Sequence, residues 1–249
     1  MRAYRSGRGQ RSVRALAVMA TQGFVVKRTL QKVPRARLAG WAVLVSILAF
    51  LSYAARLLGD GDPPEDALYQ WQSAIGGLIQ YAIILVIVLA LARDLAPATL
   101  GLRRPDSWAG AAGKIVLALV GIWIVGFLLN FVLEAGEEQG LVPDGWDPER
   151  AAPFVANFVV VALVAPVVEE LTYRGLGFAA VRDAFGVAAA VGITSIAFGL
   201  AHGLLVALPV LTIFGAILAW LRHSTGSVYP PIVLHAFFNG AALIAAVSV

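Results

Sequence analysis

Two adjacent carboxylates and an arginine stand inside one long apolar run, Val164-Ala165-Pro166-Val167-Val168-Glu169-Glu170-Leu171-Thr172-Tyr173-Arg174-Gly175. On a helix Glu170 and Arg174 are four residues apart, so they share a face and can pair. Glu169 is turned about 100° away from Glu170. One carboxylate can therefore be held ionised by the arginine while the other points elsewhere in a medium of low dielectric. That division of labour suits a general base with a structural partner. Two more polar pairs repeat the spacing of four: Phe198 with His202, and His235 with Asn239. The third of the three histidines, His223, stands beside Arg222 at an expected helix end and reads as interfacial.

Taken singly, each pair has a plain structural role. Glu170–Arg174 could be a buried ion pair, Phe198 a core residue, and a lone His or Asn a helix–helix hydrogen-bond partner. Asn130 and Asn157, also in apolar surroundings, are read in that structural way. An ionisable group at membrane depth is nevertheless costly enough to mark a functional site, and several together strengthen that reading.

The surrounding chain is of the membrane class. It has 249 residues, 59% of them hydrophobic and only 14% charged, with a mean hydropathy of +0.81. An ordinary soluble domain carries about 25% charged residues. There are no cysteines, which removes disulfides and thiol nucleophiles. Residues 1–37 hold ten Lys/Arg and no acid, leaving nine basic against 15 acidic residues in the remainder. This tail reads as a cytoplasmic retention signal that touches anionic lipid. It shows no nucleic-acid motif, and Ala15–Ala20 is too short for the core of a cleavable signal peptide.

Apolar spans are expected at about 38–58, 75–92 and 115–133, joined by acidic loops (60–66 and 134–150) and a basic loop (93–104). The alternation places the N-terminus and the basic loop in the cytoplasm. From Pro153 to Arg182 the chain is apolar for too long to be one simple span, and Pro166 is expected to kink or restart it between 154–166 and 167–181. Further helices are expected at 187–202, at 209–221 and from Pro230 to the C-terminus. The fold class is thus all-α, a polytopic transmembrane bundle of seven to eight helices with no strand. Its regions are a basic tail (1–37), three spans (38–150) and a site-bearing membrane core (151–249). At a rise of 1.5 Å per residue, Glu169 and Asn239 lie roughly 20 Å from the presumed face, His202 roughly 25 Å and His235 roughly 15 Å. These depths permit the polar groups to converge.

The motifs Glu169-Glu170-Leu171-Thr172-Tyr173-Arg174 (EExxxR), Phe198-Gly199-Leu200-Ala201-His202 (FxxxH) and His235-Ala236-Phe237-Phe238-Asn239 (HxxxN) resemble, in this order, those of the CPBP family. That family comprises the CAAX prenyl endopeptidases and bacteriocin-processing, or Abi, proteins. The resemblance covers roughly residues 150 to 245, and Tyr173 stands where the family often has Phe. It implies an intramembrane endopeptidase in which Glu169 and His202 activate a water. His235 and Asn239 would stabilise the substrate carbonyl or oxyanion, with Glu170, Arg174 and Phe198 in support.

The chemistry agrees with what amide hydrolysis needs: a base for the water and donors for the oxyanion. No serine stands beside a His–acid pair in a recognisable motif, so activated water is preferred over an acyl-enzyme. Glu169, His202 and His235 would be the zinc ligands if zinc is bound. The H-E-x-x-H pattern is absent, and no tightly bound cofactor is expected. The expected partners are membrane lipid and a peptide or membrane-protein substrate, in a bacterial cytoplasmic membrane, with no nucleic acid. The rival readings are a non-catalytic scaffold or immunity-type protein that keeps the polar core, and an ion carrier. The carrier is disfavoured by the lack of discontinuous helices in two related halves.

Overall fold

The computed structural model describes residues 31–58, 66–130 and 145–248. Most of the basic tail, including Ala15–Ala20, most of both acidic loops, residues 131–133 and the Asn130 side chain lie outside the described residues.

Among the described residues the regular elements are all helical. In chain order they are α1 (Arg35–Leu58), α2 (Trp71–Ala92), α3 (Trp108–Asn130), α4 (Pro148–Phe185), α5 (Val187–Leu200), α6 (Leu208–Thr225) and α7 (Tyr229–Ala246). All but α5 are long and apolar enough to cross a membrane. The long helices turn large apolar side chains outward, among them Phe50 at 70% exposure and Trp123 at 75%. Such a surface suits lipid, where helices associate through packing and hydrogen bonds rather than hydrophobic burial.

The expectation of two half-helices around Pro166 is not met: α4 is one helical run. It begins at Asp147-Pro148, where the Asp147 side chain accepts from the Glu149 and Arg150 amides at 2.9 and 3.3 Å. A wide π turn, Val160–Val164, lies just before the proline, and the Ala165 amide reaches back five residues to the Val160 carbonyl. A proline in an ordinary helix lacks a donor and strikes the carbonyl four residues back. The wide turn relieves that conflict, so Pro166 is absorbed without a break. Glu169 consequently lies inside a continuous helix and not at a helix start.

Other boundaries also differ. The third span starts at Trp108, seven residues earlier than Ile115. The sixth runs on to Thr225, which places Arg222 and His223 inside its last turn. The fifth stops at Leu200, so His202 lies in the turn beyond it.

One buried core joins both parts of the chain. Trp41, Leu44, Ile84 and Val88 from α1 and α2 pack with Leu176, Phe198, Leu218 and Leu234 from the later helices. The early helices are therefore structural walls of the polar site, as the contacts below show.

Candidate active site

The site is built on the second π turn of α4, Leu171–Gly177, which follows the two glutamates directly. Donors from other helices reach its carbonyls. Trp41 Nε1 on α1 donates to the Thr172 carbonyl at 3.0 Å, and Arg222 Nε on α6 donates to the Arg174 carbonyl at 3.1 Å. A π turn at this position is a common companion of functional sites.

Glu170 and Arg174 are both fully buried. Arg174 Nη1 donates to Glu170 Oε1 at 3.0 Å, and Nη2 donates to the Gly215 carbonyl at 3.0 Å. The guanidinium lies 4.5 Å from the centre of the Phe198 ring. The pairing expected from the spacing of four is present. The same Glu170 oxygen also lies 3.1 Å from His235 Nδ1. A buried carboxylate thus serves two partners, one cationic and one a ring N–H donor.

Glu169 points away from this pair. Its Oε1 accepts from the Tyr81 hydroxyl on α2 at 2.7 Å. Its Oε2 is buried, has no hydrogen-bond partner, and lies 3.7 Å from His235 Nε2. The His235 ring therefore stands between the two glutamates, one facing each nitrogen.

His202 is fixed by its own helix end. Its Nδ1 lies 2.8 Å from the Phe198 carbonyl. A carbonyl only accepts, so Nδ1 carries the proton, and in the neutral ring Nε2 carries the lone pair. The turn that holds His202 is clamped by α1: Ser52 Oγ donates to the Ala201 carbonyl at 2.7 Å and Tyr53 Oη to the Leu204 carbonyl at 3.2 Å. Gly203 completes the turn at φ +68°, where a Cβ would come within 2.9 Å of the Ser52 backbone. Only glycine meets both demands without strain.

Phe198 is the hub of the aromatic packing. It stands edge-on to His202 at 4.7 Å and to His235 at 5.7 Å between ring centres, and Tyr173 stands edge-on to it at 5.4 Å. Asn239 donates through Nδ2 to the Val161 carbonyl at 3.0 Å, a carbonyl within the first π turn. Asn157 is a structural residue, its amide divided among the carbonyls of Leu68, Gln70 and Pro153.

Glu169, Phe198, His202, His235 and Asn239 all line one cavity of about 760 Å³. Its remaining wall is mostly apolar and comes from α3, α6 and α7, with Ile122, Leu211 and Phe214 among its residues. That volume and lining suit an organic ligand held by a few polar groups. A smaller cavity of about 100 Å³ approaches Glu169 and His202 from the α1–α2 side, past Ser52 and Tyr81. The motif residues are thus brought together, with Glu170 and Arg174 packed behind the cavity wall.

The zinc set Glu169, His202 and His235 is a different matter. Among the described residues no three His, Asp or Glu side chains are grouped so as to hold one ion. Each candidate ligand already has one atom committed: to Tyr81, to the Phe198 carbonyl and to Glu170, respectively.

Two contributors are not evident from the motifs. Tyr81 is the one tyrosine within the apolar span α2, which is a weak local signal. Trp41 reads from sequence only as the entry to α1, and nothing local indicates that it reaches a carbonyl 131 residues away.

The family model for type II CAAX prenyl endopeptidase Rce1-like proteins matches residues 151–241. The Bacillus subtilis (strain 168) protein named "Putative membrane peptidase YdiL" is 28% identical over 185 residues, which is 72% of this chain and 74% of that protein. No solved structure matches the chain.

Proposed function

We propose that this chain, a CPBP-family membrane protein by its Rce1-like residues 151–241, hydrolyses a peptide bond at or within the membrane with a water activated by Glu169 and His202. The observation that carries the reading is the meeting of Glu169 and His202 on the wall of one cavity. Glu169 Oε2 has no hydrogen-bond partner among the described residues, and with Nδ1 turned to the Phe198 carbonyl an uncharged His202 ring would keep its Nε2 lone pair. Both residues line the same cavity.

A water held between a carboxylate oxygen and an imidazole lone pair is oriented for attack. Glu169 takes one proton, and the hydroxide adds to the carbonyl carbon of the substrate. The negative charge passes to the carbonyl oxygen. The second N–H of the Asn239 amide is available to stabilise that oxygen, and so is His235 Nε2 when the ring carries a proton on both nitrogens. The carbon–nitrogen bond then breaks, and the proton held by Glu169 goes to the leaving amine. Glu170 and Arg174 take no part in proton transfer. They fix the His235 ring through Nδ1, as a carboxylate fixes a catalytic histidine elsewhere. No step is routed through a metal. The substrate is a peptide or a membrane protein whose scissile segment reaches the cavity.

The test is capture. A Glu169→Gln chain keeps the shape of the side chain but cannot take the proton. Purified in detergent, it should melt close to the wild type and retain peptides that mass spectrometry can identify. The wild type should cleave those peptides, and Glu169→Gln and His202→Ala should each lose about 100- to 10,000-fold in rate. Variants that melt early, or that leave function untouched, would assign the polar core to a scaffold or immunity-type role instead.

A further inference from the structure

Arg222 is a buried cation without an acidic partner among the described residues. It stands in the last turn of α6 at 4% exposure. Its Nε is used by the Arg174 carbonyl. Its guanidinium lies 5.6 Å from the Phe178 ring centre and against Gly101, where an added Cβ would overlap Cζ. No acceptor reaches either Nη among the described residues, and no ion pair involves this arginine. The charges that act on it are those of Arg103 and Arg182, of its own sign. Asp183 is engaged with Arg182, at 2.8 and 3.1 Å. Arg103 is exposed and has only Nε committed, to the Gly226 carbonyl at 2.8 Å.

A buried guanidinium is costly unless its charge is matched and its donors are used. Here the fold surrounds it with a ring face, a glycine backbone and two further arginines, and gives its two Nη groups no protein acceptor among the described residues, so they stay open to an entering anion. That arrangement fits a tetrahedral oxyanion, which takes two parallel hydrogen bonds from an arginine fork. The site is formed by three separate segments: the α2–α3 loop at Gly101 and Arg103, the end of α4 at Arg182, and the end of α6 at Arg222. All three lie at helix ends, where a bilayer presents its phosphates, and the segments are rich in basic residues.

We infer that Arg222 and Arg103 form a binding site for a phosphate oxyanion, the headgroup of an anionic lipid or a free phosphate. Arg222 supplies the buried fork, Arg103 closes over the anion from the exposed side, and Arg182 adds field. This site is separate from the cavity that holds Glu169, and its existence does not depend on any peptidase activity.

The experiment uses the full chain in phosphatidylcholine nanodiscs and reads the thermal unfolding midpoint. In one arm phosphatidylglycerol replaces part of the lipid; in the other, inorganic phosphate is added to the phosphatidylcholine sample. Phosphatidylglycerol should raise the midpoint and phosphate should not, which identifies a lipid headgroup. A rise with phosphate that disappears in Arg103→Gln supports the same site with a soluble ligand. Arg103→Gln should weaken apparent binding about tenfold. Arg222→Gln should abolish it, but that variant also loses the bond to the Arg174 carbonyl and can fail to fold. Arg104→Gln, which removes an exposed charge from the same loop, should change binding by less than about twofold. An equal loss in Arg104→Gln and Arg103→Gln would reduce the effect to general surface charge and overturn the site. So would midpoints that respond to neither phosphatidylglycerol nor phosphate.

Discussion

His235 Nδ1 lies 3.1 Å from Glu170 Oε1, the same oxygen that accepts Arg174 Nη1 at 3.0 Å. The ion pair behind the cavity is therefore also the support of a cavity-lining histidine. Arg174→Met alone leaves Glu170 buried and uncompensated and should cost about 3–5 kcal/mol of stability. Glu170→Leu/Arg174→Met removes both charges and should melt closer to the wild type than the single variant. It should still lose cleavage, because His235 loses its Nδ1 partner. Thermal melts beside cleavage rates check this; a double variant that melts no better than Arg174→Met would disprove the pairing argument.

Among the described residues the Tyr81 hydroxyl gives Glu169 Oε1 its one hydrogen bond, at 2.7 Å. Tyr81→Phe removes one oxygen and no packing. The carboxylate remains but is free to turn, so kcat should fall about 10- to 100-fold, consistent with the loss of a charge-assisted hydrogen bond. KM and the melting midpoint should stay close to wild type. Unchanged kcat in purified protein would show that Glu169 needs no help from α2.

The spans, the bundle and the Glu170–Arg174 pair were legible because their signals are local. Apolar runs count off as spans, and a spacing of four puts two side chains on one face. The convergence of Glu169, His202, His235 and Asn239 on one cavity was readable only as compatible depths. What was hidden is long-range or concerns helix phase. No pattern around Tyr81 indicates that it meets a glutamate 88 residues later. Pro166 reads as a helix breaker under the ordinary rule, and the π turn that accommodates it leaves no mark in Val160–Val164. His202 was placed inside a helix because its surroundings are apolar, while the stop is set by the contact of Gly203 with Ser52.

That contact predicts its own mutational signature. Gly203→Ala would place a Cβ within 2.9 Å of the Ser52 backbone at a φ of +68°. The left-handed conformation costs roughly 1–2 kcal/mol for a residue with a side chain, and the clash adds to it. The melting midpoint should drop. Cleavage should fall further than stability accounts for, because His202 precedes the strained residue. Gly192→Ala in α5, where nothing lies within 4 Å of the added carbon, is the control and should leave both properties intact. Equal behaviour of the two variants would mean that the His202 turn is not set by its packing on α1.

The metal dependence turns on how Glu169, His202 and His235 are grouped. No three acidic or histidine side chains among the described residues are grouped around one point. Tyr81, the Phe198 carbonyl and Glu170 each hold one atom of a candidate ligand, so closing the set around an ion would require Glu169 Oε2, His202 Nε2 and His235 Nε2 to draw together at a common point. Purified protein should therefore carry well under one equivalent of zinc by elemental analysis. Chelation followed by dialysis should leave its cleavage rate within about twofold, while Glu169→Gln remains inactive. Stoichiometric zinc whose removal abolishes cleavage and whose return restores it would show that the three side chains do rearrange. In that case Tyr81→Phe, which releases Glu169, should tighten zinc binding instead of only slowing the reaction.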